Sequence, residues 1–261
     1  MPSVYAHYRM GLALLPTFPA DIRRTIGRFR RLFDVGLHGP DIFLYYNPVL
    51  PTAVGSLGSK YHAQTGREFF QRVCRVARLE KSEAAQAYIY GVLCHYALDS
   101  ALHPYVKEQA ALSGVTHGQI EAEFDRFLLE KDGKIPPESQ DFSPHLNLTP
   151  GECATVAKFY PGATSRQVQD SLRNMAASVK LFATPEGARR TALRKGMELM
   201  KLPVRGMLMT TGANMQCAHL DEPMLALYDQ AVASFPELLN QLQAHMTYNG
   251  SFGEEFAKIF G

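Results

Sequence analysis

The sequence predicts an all-α protein, a single multi-helix domain spanning residues 1–261, on three observations. Apolar residues recur at helical spacing in most segments, capping residues stand where those segments begin, and no segment sustains the alternation of a strand. With 261 residues, 46% of them hydrophobic and 20% charged, the chain has enough apolar material for a sizeable core.

The elements follow in order. Between residues 20 and 33, Ile22, Ile26, Phe29 and Phe33 form an apolar stripe while Arg23, Arg24, Arg28, Arg30 and Arg31 take the other side, which predicts one amphipathic helix. Gly36, Gly39 and Pro40 mark a turn, followed by the aromatic-rich segment 42–46 and a loop punctuated by Pro48, Pro51, Gly55 and Gly58. A helix is predicted over 57–79. Ser82 is a good N-cap for a long Ala-rich helix, and Pro104 is expected to kink or end it, since proline lacks an N–H and clashes with the preceding turn. Thr116 and Gln119 have capping-box spacing, so a new helix opens at His117 and runs to about residue 131, where Gly133, Pro136 and Pro137 stop it. Residues 134–148 read as loop, and helical patterns return near 150–159, 165–182, 186–200 and 223–245.

A net charge of +2 gives no global reason to expect nucleic acid as partner. Cys74, Cys94, Cys153 and Cys217 lie far apart with no C-x-x-C pair, which fits reduced thiols in a cytoplasmic protein better than a disulfide framework. The apolar stretch 10–15 is short, stops at Pro16 and lacks a small-residue cleavage site, so no signal peptide is read; no run approaches the length needed to span a bilayer.

The chemistry concentrates between residues 95 and 121. His95, Asp99 and His103 stand four residues apart, so their side chains share one helical face. His117 and Glu121 repeat that spacing at the start of the next helix. Any one of the five alone reads more readily as a satisfied core residue. Five together, in a stretch otherwise filled by Ala, Leu, Val and Tyr with no Lys or Arg between Lys81 and Lys107, imply a metal as the missing partner. Imidazole and carboxylate without cysteine are the donors of catalytic zinc sites.

Around these residues the sequence resembles the zinc-dependent phospholipase C family, whose all-helical fold is shared by single-strand-specific zinc nucleases. The resemblance rests on G-P-D-I-F at 39–43, His62, the run H-Y-A-L-D-S-A-L-H-P-Y at 95–105 and H-G-Q-I-E at 117–121. It implies that Asp41, His62, His95 and Asp99 hold one zinc, that His103, His117 and Glu121 hold a second, and that Asp99 and His7 share a third. The secreted members supply an N-terminal Trp to that third metal, whereas this chain has no Trp, so two zinc ions are the expectation and a third is additional. Only three residues separate Asp99 from His103, a shorter gap than the family pattern.

The implied activity is hydrolysis of a phosphodiester. A metal lowers the pKa of a bound water to about 7, and two metals about 3.5–4 Å apart clamp such a substrate. Asp41 reads either as ligand or as general base. Asp125, one turn beyond Glu121, reads as orienting an imidazole or as a solvated carboxylate. Phe43, Tyr45 and Tyr46 read as substrate-pocket lining or as core. The arginines of 23–31, and a second cluster of Arg189, Arg190, Arg194, Lys195 and Lys201, read as solvated faces or as a transient contact with an anionic membrane surface. His38, His145, His219 and His245 match no motif. Three functions follow: a phospholipase C-like enzyme acting on a phospholipid or other phosphodiester, which leads; a nuclease on the same fold, which the absence of Trp and the low net charge disfavour; and a non-catalytic metal-binding or lipid-binding protein.

Overall fold

The computed structural model describes residues 4–47, 50–199 and 206–261. Among them there is no strand, only one isolated antiparallel bridge between Thr65 and Ile259. The α-helices are α1 Val4–Leu14, α2 Ala20–Arg28, α3 Arg30–Gly36, α4 Gly55–His62, α5 Gly66–Glu80, α6 Glu83–Ser113, α7 His117–Lys131, α8 Pro150–Ala157, α9 Ser165–Phe182, α10 Ala188–Leu199 and α11 Asp221–Tyr248. The all-α expectation is thus met, and among the described residues no helix is long and apolar enough to cross a membrane.

Helix α6 is the axis of the fold. From Ala87 to Asp99 every residue is buried, as expected of a helix apolar on all sides, and α1, α2, α3, α5, α7, α8 and α11 pack against it. Its N-terminus is fixed by Ser82, whose hydroxyl accepts the Ala85 N–H, as the sequence suggests. The helix does not end at Pro104. It continues to Ser113, because Val106 beyond the proline is fully buried and the following Lys, Glu, Gln and Ala residues are good helix formers.

Two long helices of the sequence reading are each divided. Residues 20–33 break at Phe29, which leaves the helical region at φ −119° and ψ 41°. A straight helix would keep only one stripe in the core, whereas the break re-aims α3 so that Leu32, Phe33 and Val35 are all buried. Residues 57–79 divide between His62 and Gly66, where Thr65 opens α5 through a capping box with Glu68. A first helix, α1, has no counterpart in the sequence reading. Helices α7 and α9 have the expected bounds, each opened by a capping box, Thr116 with Gln119 and Thr164 with Gln167.

The α3–α6 contact is made through glycine. A Cβ on Gly91 would run into the Phe33 carbonyl and lie 2.9 Å from the Gly36 backbone, and one on Gly36 would meet the Tyr88 carbonyl. Backbone cannot yield as a side chain tip can, so Gly91→Ala is expected to destabilise the protein by about 1–3 kcal/mol, the usual cost of overpacking. The denaturant midpoint of the variant measures this, and an unchanged midpoint would show that the two helices separate freely.

Candidate metal centre

The eight ligand-type residues reach one place from five elements. His7 lies on α1, Asp41 on a 3₁₀ helix over Gly39–Tyr45, His62 at the last position of α4, His95, Asp99 and His103 on α6, and His117 and Glu121 on the first turns of α7. Gly39 makes the approach of Asp41 feasible. Its φ of +45° suits glycine, and a Cβ there would stand 2.7 Å from the His95 ring.

Asp99 is the hub. Its Oδ1 lies 3.2 Å from His7 Nε2 and 3.5 Å from His103 Nε2, while its Oδ2 lies 3.1 Å from His95 Nε2 and 3.4 Å from His62 Nε2. Asp41 Oδ1 is 2.9 Å from His62 Nε2, and Asp41 Oδ2 is 3.8 Å from His95 Nδ1. Glu121 Oε1 stands 3.0 Å from His117 Nε2 and 3.4 Å from His103 Nε2. Donor atoms of a tetrahedral zinc with bonds of about 2.0–2.1 Å stand roughly 3.3 Å apart, so these separations match a ligand shell. Two groups gather their ligand atoms within 4.8 Å of one another: His7, Asp41, His95 and Asp99, and His103, His117 and Glu121. The resemblance assigned His7 to a third metal, whereas here it shares the first group, with His62 alongside it on Asp41 and Asp99.

The chemistry of the donors fits a cation. Asp41 Oδ2, Asp99 Oδ2, Glu121 Oε2, His7 Nδ1, His95 Nε2 and His103 Nδ1 are buried and make no hydrogen bond within the protein, an expensive arrangement for a metal-free core. Two rings are already oriented as ligands. His62 Nδ1 stands 2.7 Å from the Gly58 carbonyl and His95 Nδ1 3.3 Å from the Leu37 carbonyl; donating N–H there leaves both Nε2 atoms facing the carboxylates.

Charge follows the same pattern. Burial alone would lower His62, but Asp41 and Asp99 outweigh it and hold its pKa well above the usual value. Burial likewise opposes, and Asp99 overcomes, an upward shift at His7 and at His103, the latter with help from Glu121. Burial lowers His95 despite Asp99. Asp99 and Glu121 would both rise through burial, yet the imidazoles around them hold both well below the carboxylate range.

The remaining candidates fall in different places. Asp125 serves the site through the main chain: its carboxylate accepts the N–H groups of Tyr5 at 3.0 Å and Ala6 at 2.8 Å, in the first turn of the helix that carries His7. Phe43 is fully buried against Tyr160, and the Tyr46 carbonyl accepts Asn174 Nδ2. Tyr45 lines a small pocket of about 90 Å³ that reaches Glu121 and is walled by Tyr5, Phe142, Phe182, Met207 and Met209. Arginines of 23–31 are engaged locally: Arg28 with Glu83, Arg30 with Asp34, Arg31 with Glu152, and Arg23 with the Phe18 carbonyl. Arg190 is buried and donates to the Thr184 and Met209 carbonyls, and Lys201 lies outside the described residues. All four cysteines are buried and unpaired.

The sequence reading missed the pair behind the site. His38 and His145 meet through their Nε2 atoms at 2.7 Å, and the His38 ring packs edge-on to His7, itself stacked on His95. Burial lowers both, His145 to about 4 with Arg30 contributing, so the pair is neutral. Asp34 and Asp141 stand four residues before His38 and His145, but no helix runs through either pair, so that spacing does not place them on one face.

The family model described as zinc dependent phospholipase C matches residues 6–175, two thirds of the chain and all eight of these side chains. The chain belongs to the zinc dependent phospholipase C family. Membership agrees with the all-α fold and with a donor set suited to zinc. No curated protein matches the chain, and no solved structure does.

Proposed function

We propose that the protein is a zinc-dependent phosphodiesterase of phospholipase C type, which releases a phosphorylated head group from a phospholipid. The observation that carries this reading is the gathering of eight ligand-type side chains, six of them buried, with four imidazoles facing the Asp99 carboxylate and the ring N–H groups of His62 and His95 held by backbone carbonyls so that their other nitrogens turn inward.

Asp41, His62, His95 and Asp99 would hold one zinc and His103, His117 and Glu121 a second, with His7 and Asp99 available to a third. When bound, zinc supplies Lewis-acid polarisation of a phosphoryl oxygen and acidifies a water. The chain's own residues do the rest. Asp99 fixes four imidazoles at once, so the groups of donors cannot drift independently. Asp41 anchors His62 through Oδ1 and keeps Oδ2 among the donors of the first group, which favours a ligand role over a purely basic one. Tyr45 and the apolar walls beside Glu121 offer a water-poor surface for the lipid part of the substrate.

The test pairs metal analysis of the purified protein with turnover of a chromogenic phosphodiester, phosphatidylcholine vesicles and single-stranded DNA. Zinc at two or more equivalents, with hydrolysis of the diester and the vesicle lipid, is the expected result. Cleavage confined to DNA would move the protein to the nuclease reading, and bound zinc with no hydrolysis to the metal-binding one.

A further inference from the structure

The family match ends at residue 175, yet one wall of the metal centre comes from residues 258–261. This segment lies against the break between α4 and α5, where helix geometry leaves backbone groups without intrahelical partners. The Gly66 N–H, at the start of α5, donates to the Lys258 carbonyl at 2.9 Å. In return the Phe260 N–H donates to the Gln64 carbonyl at 3.0 Å and the Gly261 N–H to the His62 carbonyl at 3.1 Å. The hydroxyl of Tyr96, the residue after His95 in α6, ties the segment and the turn before it, standing 3.2 Å from the Lys258 carbonyl and 2.6 Å from the Glu255 carbonyl.

Side chains complete the clamp. Phe260 is fully buried, with its ring centroid 4.7 Å from Phe69, 4.9 Å from Tyr96, 5.9 Å from His95 and 6.3 Å from His62. Gly261 lies against two ligand residues, since a Cβ there would stand 2.6 Å from His103 Cε1 and 2.9 Å from His62 Cδ2. The segment therefore touches ligands of both proposed zinc ions, His62 and His95 of one and His103 of the other. Main-chain bonds fix the end of α4 from which His62 projects, and the Phe260 ring backs His62 and His95.

We propose that residues 258–261 are a positioning element of the metal centre: Phe260 sets the rings of His62 and His95, and Gly261 sets the spacing between His62 and His103. The inference rests on the zinc reading above. Groups that orient metal ligands from behind change metal affinity by about 10–100-fold when removed.

The experiment titrates the metal-free protein of residues 1–261 with Zn²⁺ calorimetrically and with Co²⁺ by visible absorption. Phe260→Ala is expected to weaken Zn²⁺ binding at least about tenfold and to change the Co²⁺ spectrum, with Phe260→Leu restoring part of the affinity. Phe235→Ala, which removes an equally buried ring packed on Phe18, is expected to leave both readouts at wild-type values. Because Phe260→Ala empties core volume and can fail to fold, Gly261→Ala tests the same wall without that loss, and its expected result is an altered Co²⁺ spectrum. Wild-type Zn²⁺ affinity and Co²⁺ spectrum in Phe260→Ala, or an unaltered spectrum in Gly261→Ala, would overturn the inference while leaving the zinc reading intact. A wild-type protein that binds neither metal would overturn both.

Discussion

Asp99→Ala is expected to abolish stoichiometric zinc binding and with it turnover, whereas His7→Ala is expected to leave most of both. The reason is the number of partners each residue serves. The Asp99 carboxylate lies within 3.5 Å of nitrogens from His7, His62, His95 and His103, so its removal strips the shared anion from both groups of donors. His7 supplies one nitrogen, and Asp41, His62 and His95 remain when it is gone. Breaking a buried ionic pair costs about 3–5 kcal/mol, and a loss of that size in metal binding corresponds to roughly 10²–10⁴-fold in affinity at about 1.4 kcal/mol per tenfold. Asp99→Asn retains the volume while removing the charge, and separates loss of the anion from collapse of the core. Zinc per chain after dialysis, read beside turnover of a chromogenic phosphodiester, measures the effect. Equal losses in Asp99→Ala and His7→Ala would mean that the shared carboxylate is not the hub.

What made Asp99 recognisable from sequence was local: a helix turns every 3.6 residues, so four-residue spacing places His95, Asp99 and His103 together without knowledge of the rest of the fold. The same reasoning located His117 and Glu121, because Thr116 and Gln119 fix where their helix begins. Asp41, His62 and His7 could be named only through the family resemblance, since nothing in their own neighbourhoods shows that α1, the Gly39–Tyr45 turn and the end of α4 meet at α6. Errors of fold arose where tertiary burial overrides periodicity. Phe29 breaks a continuous apolar stripe because the core takes in Leu32 and Val35 as well, and Pro104 is tolerated because Val106 is buried beyond it. One error was avoidable. Thr65 and Glu68 have the same capping-box spacing as Thr116 and Gln119, and reading through them merged α4 with α5 and hid the turn that aims His62. Residues 258–261 carry no signal at all, because their role is to satisfy backbone groups of a turn almost two hundred positions earlier.

Chelating the metal is expected to make the protein lose stability as pH rises above neutrality, and zinc is expected to reverse that trend. In the metal-free cluster His7, His62 and His103 are held above the ordinary value of 6.5, with burial opposing and the carboxylates of Asp99, Asp41 and Glu121 prevailing. A histidine raised in the folded state contributes stability that is fully present below 6.5 and is lost as pH climbs through its raised value. Buried His38, His95 and His145 are lowered instead, so their contribution is complete above 6.5 and is lost only as pH falls. Asp99 and Glu121 are depressed, and theirs is lost only in acid, below the ordinary carboxylate values of 3.8 and 4.5. Between pH 6.5 and 9 the raised histidines are therefore the members of the cluster whose contribution changes, and the unfolding temperature of chelated protein should fall across that range. Zinc competes with protons for the same imidazoles, so its affinity, and the stabilisation it gives through mass action, grows as those protons leave. Thermal unfolding at fixed free zinc and in chelator, at steps from pH 6.5 to 9, reads out the gap directly. A gap that widens with pH identifies the histidines as the groups exchanging a proton for the metal, and a constant gap would place zinc on groups that do not titrate there.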